Sequence, residues 1–152
     1  MADTSSTEPV DILLVEDNPG DVRLTREAFA GAELDCELHV VGDGEAALDF
    51  LHRRGAHETA PRPDLVLLDL NLPRMSGLEV LEAITEEPAL RRLPVVVLTS
   101  STAEEDVVES YEQCSNAYLT KPVDPDEFVE VVRRFEAFWL ETATLPPQLT
   151  RP

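Results

Sequence analysis

Four consecutive apolar residues, Leu65 to Leu68, run straight into Asp69. A run of strand length with no polar interruption suits a strand covered on both faces, as strands are in a parallel sheet. The carboxylate stands where the chain leaves the core, and Pro73 and Gly77 punctuate a turn before a helical pattern resumes at Leu78. Parallel α/β sheets place their chemistry at the carboxyl ends of the strands. Asp69 is a site candidate by that position. In a chain where 31 of 152 residues are acidic, a solvated turn aspartate is the competing explanation.

Four further stretches repeat the pattern. Val10–Val15 is a short apolar strand interrupted by Asp11 and ending at Glu16-Asp17; Cys36–Val41, Val95–Leu98 and Ala117–Leu119 read the same way. Helical patterns alternate with them. Asn18 is an N-cap with Pro19 in the first turn of a helix to about Ala30, and Gly31 stops it. The Gly42-Asp43-Gly44 turn opens a second helix, a third covers about Gly77–Glu86, and a fourth about Ala103–Gln113. The last starts at Pro125 behind Asp124 and is expected to run past Trp139. Five strands alternating with five helices imply right-handed βαβ units, a parallel sheet covered on both faces, and the flavodoxin-like order 2-1-3-4-5 in a three-layer (βα)5 sandwich. Residues 1–8 read as a disordered lead-in, 9–142 as one domain and 143–152 as a tail whose three prolines exclude helix.

Composition narrows the function. A net charge of −19 argues against a nucleic-acid surface, which needs clustered Lys and Arg. Lys121 is the only lysine, the other 11 basic residues being arginine; pervasive acidity with so little lysine points to a protein adapted to high salt, where screening tolerates self-repulsion. Cys36 and Cys114 make no disulfide framework and fit a reducing cytoplasm. No apolar run reaches transmembrane length, and the start lacks the basic and apolar regions of a signal peptide. His52 and His57 lack the spacing of a helical metal pair and are expected in solvent.

In the 2-1-3-4-5 order, strands 1, 3, 4 and 5 are neighbours. Glu16 and Asp17, Asp69, Thr99 and Lys121 lie at their carboxyl ends and converge on one crevice. Clustered carboxylates repel and raise one another's pKa unless a cation sits among them, and hard oxygen ligands with room for water describe a Mg²⁺ site. A carboxylate, Mg²⁺, a lysine and a hydroxyl are the parts needed to transfer a phosphoryl group. Where 11 basic positions took arginine, position 121 needs a compact point charge rather than a planar fork.

Glu16-Asp17, the D-x-x-x-P-x-x-x-G of Asp69, Pro73 and Gly77, Thr99 and Lys121-Pro122 resemble the receiver domain of two-component response regulators over residues 10 to about 138. The resemblance implies Asp69 as phosphoacceptor. It implies Mg²⁺ held by Glu16, Asp17, Asp69 and the backbone carbonyl of Asn71, with phosphate contacts from Thr99 and Lys121. It further implies a Thr99–Tyr118 switch and a cis bond before Pro122. The stretches VEDNPGDVRL and FWLETATLP resemble the stand-alone regulators of the cyanobacterial phytochrome type. The implied protein is cytoplasmic and takes a phosphoryl group from a histidine kinase. It catalyses only its own phosphorylation and Mg²⁺-dependent dephosphorylation, and no output domain is expected to follow. Phe128, Val131, Val132 and Phe135 fall at helical spacing to face the sheet, while Phe138, Trp139, Leu140 and Leu145 continue beyond it, so a homodimer through the last helix and tail is expected. A receiver-fold interaction module that does not cycle phosphate is the alternative. A small hydrolase or flavodoxin-like cofactor binder is a third, disfavoured because two carboxylates after strand 1 would repel an FMN phosphate.

Overall fold

The computed structural model describes residues 10–30, 36–99, 117–122 and 124–137. Five strands, β1 Val10–Val15, β2 Cys36–Val41, β3 Leu65–Leu68, β4 Val95–Thr99 and β5 Ala117–Thr120, form one sheet in the order β2-β1-β3-β4-β5. Every pairing is parallel. The described helices are α1 Pro19–Ala30, α2 Gly44–His52, α3 Gly77–Glu86 and the C-terminal α4 Pro125–Glu136, with a single 3₁₀ turn at Gly55–His57. The helix expected at about 103–113 and the apolar overhang from Phe138 onward lie outside the described residues.

The strand sequences produce two cores because successive side chains point to opposite faces. Leu13, Val15, Val66 and Leu68 pack with Phe50 and Leu51 of α2 and Val80, Leu81 and Ile84 of α3. Ile12, Leu14, Leu65, Leu67, Val96 and Leu98 face the other way, against Ala28 and Phe29 of α1 and Phe128, Val132 and Phe135 of α4. Phe29 and Phe135 meet edge to face at 6.4 Å, which ties the two helices of that layer together. Val131, expected on the same stripe, is half-buried against this core.

Local chemistry fixes the helix starts. The Asn18 side chain accepts from the Gly20 and Asp21 amides at 2.8 and 3.1 Å, and Asp43 accepts from Ala46 at 2.8 Å. Asp124 accepts from Glu127 at 3.0 Å with Pro125 behind it. Ser76 and Glu79 form a reciprocal capping box at the start of α3. His52 and His57, expected in solvent, are half-buried instead: His52 Nε2 lies 2.7 Å from Glu87 Oε1, and the His57 ring packs 5.4 Å from that of Phe50. No helix among the described residues is long and apolar enough to cross a membrane.

Candidate functional site

At the carboxyl end of the sheet, backbone ladders continue past the strands and carry the polar groups inward. The Glu16 amide donates to the Val41 carbonyl at 3.0 Å, and the Asp69 amide to the Val15 carbonyl at 3.1 Å. Those bonds anchor two carboxylates beside each other as the chain leaves β1 and β3. On the other side, the Lys121 amide donates to the Thr99 carbonyl at 2.8 Å, bringing β5's exit against β4's. Glu16, Asp69 and Thr99 are buried, and Asp17 is exposed.

The Lys121 ammonium sits among three carboxylates. It donates to Glu16 Oε1 at 2.6 Å, to Asp21 Oδ2 at 2.8 Å and to Asp69 Oδ2 at 3.0 Å. Burial alone would lower its pKa, but the bonds to Asp21, Glu16 and Asp69 together outweigh burial and hold it above the ordinary lysine value. Glu16 behaves differently: burial pushes its carboxyl up to about 7, the Lys121 contact opposing the rise and the Asp69 charge adding to it.

The loop after β3 is shaped around Asp69. The Asn71 amide donates to Asp69 Oδ1 at 3.0 Å, and the Asn71 side chain donates to Thr99 Oγ1 at 3.2 Å, linking the β3 and β4 exits. The loop then doubles back, the Gly77 amide donating to the Leu70 carbonyl at 3.0 Å. A Cβ at Gly77 would lie 2.6 Å from Leu70 Cα and collide with the Asp69 carbonyl oxygen, so this return admits only glycine.

Glu16, Asp17, Asp69, Thr99 and Lys121 are thus gathered as the strand order requires. Oxygens of Glu16, Asp17 and Asp69 lie within 4.8 Å of one another. Three hard oxygen donors with one carboxylate open to solvent fit a divalent cation that keeps part of its water shell. One expectation changes. The described residues contain no cis peptide bond, so the bond before Pro122 is trans. Trans is the lower-energy isomer of an X-Pro bond by about 0.5–1 kcal/mol, and Lys121 reaches all three carboxylates with it. The Tyr118 side chain lies outside the described residues. Asp21 is the residue that sequence reasoning missed. Its signal was an acidic residue four places after Asp17, in the first turn of a helix that begins at the site.

A second group, Asp11, Glu37 and His39, gathers within β1 and β2, with His39 Nε2 2.9 Å from Asp11 Oδ1. It lies toward the amino ends of the strands, away from the crevice where parallel sheets hold ligands.

The site has recognised relatives. Residues 12–133 match the family described as the response regulator receiver domain. The chain is 49% identical over 146 residues to response regulator Rcp1 of a Synechocystis species, covering 96% of this chain and 99% of the relative. The crystal structure of the Mn²⁺-bound form of response regulator Rcp1 superposes with a TM-score of 0.89 at 50% identity, covering 91% of this chain and all of that one. The phosphorylated cyanobacterial phytochrome response regulator RcpA superposes equally well, with a TM-score of 0.89 at 45% identity over 92% of this chain and 100% of the other. By the family match over residues 12–133 and by its identity to these relatives over nearly its whole length, the chain belongs to the response regulator receiver domain family and is a phosphoacceptor of two-component signalling.

Proposed function

We propose that Asp69 is the acceptor, taking a phosphoryl group from the phosphohistidine of a histidine kinase and losing it to water. The convergence of Glu16, Asp17, Asp69 and Lys121 at one end of the sheet carries this reading. In the forward step an Asp69 carboxylate oxygen forms a bond to phosphorus as the nitrogen–phosphorus bond breaks, and the imidazole leaves as the neutral base after taking a proton. In the reverse of activation, water forms the new oxygen–phosphorus bond, the Asp69 bond breaks, and inorganic phosphate departs. Mg²⁺, held by Glu16, Asp17, Asp69 and the Asn71 carbonyl, supplies charge neutralisation of the phosphoryl oxygens.

Lys121 pairs with a phosphoryl oxygen, and Thr99 offers its hydroxyl to another. Thr99 moving toward the phosphoryl group lets Tyr118 turn inward, a two-state equilibrium biased by local contacts. The protein acts only on its own aspartyl phosphate and is otherwise no enzyme. Its setting is the cytoplasm of a salt-adapted cell; its partners are a kinase, a phytochrome-type one by the kinship with RcpA, and a second copy bound through the C-terminal helix and tail, with no nucleic acid.

Incubation with acetyl phosphate and Mg²⁺, followed by mass spectrometry of the intact chain and its peptides, tests the reading. A labile phosphoryl adduct on the peptide carrying Asp69, lost in Asp69→Asn, is the expected result. An adduct that maps elsewhere, or none with either acetyl phosphate or a phosphorylated kinase, would refute it.

A further inference from the structure

The Lys121 ammonium has three N–H donors, and each is committed to a carboxylate: Glu16 at 2.6 Å, Asp21 at 2.8 Å and Asp69 at 3.0 Å. A phosphoryl oxygen can gain this lysine only if one of the three gives it up. We propose that Asp21 is a positioning residue that competes with the phosphoryl group for Lys121 and thereby limits how tightly the site holds a phosphoryl anion. The inference rests on Asp69 being the phosphoacceptor.

The three carboxylates are not equivalent. Glu16 and Asp69 belong to the oxygen cluster within 4.8 Å that fits a divalent cation, and Asp21 does not. A cation in that cluster draws on the oxygens of Glu16 and Asp69 and repels the ammonium, so those two release Lys121 as the site fills. Asp21 has no such second use. Among the described residues its carboxylate bonds only to Lys121.

Asp21 is also fixed in place. Its amide donates to the Asn18 side chain at 3.1 Å, and its carbonyl accepts from the Thr25 hydroxyl at 2.8 Å, so the first turn of α1 aims the carboxylate. Its side chain keeps 24% of its exposure while that of Lys121 keeps 7%, so the carboxylate stands on the solvent side of the buried ammonium and draws it toward α1. Its negative charge also stands one ammonium away from the phosphoryl oxygens. Competition for the donor and repulsion of the anion act in the same direction.

The alternative role, that Asp21 merely orients Lys121 for the phosphoryl group, makes the opposite prediction. Beryllofluoride, which mimics an aspartyl phosphate, separates the two when titrated with Mg²⁺ into the full chain and followed by fluorine NMR. Asp21→Asn keeps the backbone bonds and removes the charge; it is expected to bind beryllofluoride about tenfold more tightly than wild type, the order of one charge-assisted hydrogen bond weakened to a neutral one. Asp21→Glu restores the charge and should return the affinity toward wild type. In a Lys121→Met background, the gain from Asp21→Asn should shrink to what relief of repulsion alone gives, because the competition passes through the lysine. The Asn and Glu variants decide the matter by themselves if Lys121→Met does not fold. Equal or weaker binding by Asp21→Asn overturns the inference, as does an undiminished gain in the Lys121→Met background. Absence of binding by wild type, or binding that persists in Asp69→Asn, would instead overturn the phosphoacceptor assignment and this inference with it.

Discussion

Glu16 holds its proton to higher pH than a carboxyl in water, because burial penalises its charge more than Lys121 and its hydrogen bonds favour it. With its pKa raised from 4.5 to about 7, the folded chain binds more protons than the unfolded one between those values, so this group's contribution to stability falls as pH rises through that window. Thermal melts in chelator should show a pH-dependent loss that shrinks in Glu16→Gln; an identical slope in both proteins would remove Glu16 as its source. A metal must displace the same proton, so Mg²⁺ affinity should climb with pH up to about 7 and level above it. Asp17→Asn is expected to weaken Mg²⁺ binding yet move stability by less than about 0.5 kcal/mol, since the residue is exposed. Isothermal titration and a urea melt on the same sample check both halves. At this scale the sequence was only partly readable. Strand ends name Glu16, Asp17, Asp69 and Lys121, because the parallel sheet brings strand ends together whatever the rotamers do. Asp21 sits inside a helix, and its reach to Lys121 depends on a helix phase and a side-chain direction that spacing alone does not report.

The elements themselves were legible where local and global demands agree. β1, β3 and β4 are apolar runs whose alternate side chains feed two cores, and α1 and α4 begin at caps the sequence announces. Close approaches between elements were not legible. A Cβ on Gly44, at the start of α2, would lie 2.6 Å from the Met75 carbonyl oxygen and 2.7 Å from Met75 Cβ, in the loop that follows the acceptor. A turn reading accounts for Gly44 locally, while the actual constraint comes from Met75, far along the chain. Gly44→Ala should therefore cost about 1–3 kcal/mol in a denaturant melt through overpacking, and it should also slow labelling of Asp69 by acetyl phosphate as the loop shifts. Unchanged stability would show that the loop yields freely. Ser76→Ala, which deletes half of the capping box, should cost about 1 kcal/mol in the same melt and leave the labelling rate nearly intact.

For the whole molecule, the charge of −19 sets the response to solvent. Added salt screens the repulsion among exposed carboxylates while hardly touching the two dry cores. The melting temperature should rise steadily from low to molar NaCl; a flat or falling trend would show that repulsion is not what limits stability. The order of the sheet has a kinetic consequence as well. Lys121 follows β5, the strand beside β4 at the edge of the described sheet, yet its partners Glu16 and Asp21 stand 105 and 100 residues earlier. Contacts across so long a loop carry a large closure entropy and are expected to form late in folding. The carboxylates therefore assemble around β1 and β3 before their ammonium arrives. Interactions absent from the folding transition state act almost wholly on the unfolding rate. Occupying the crevice should thus leave the speed of folding nearly untouched and lengthen the lifetime of the folded protein.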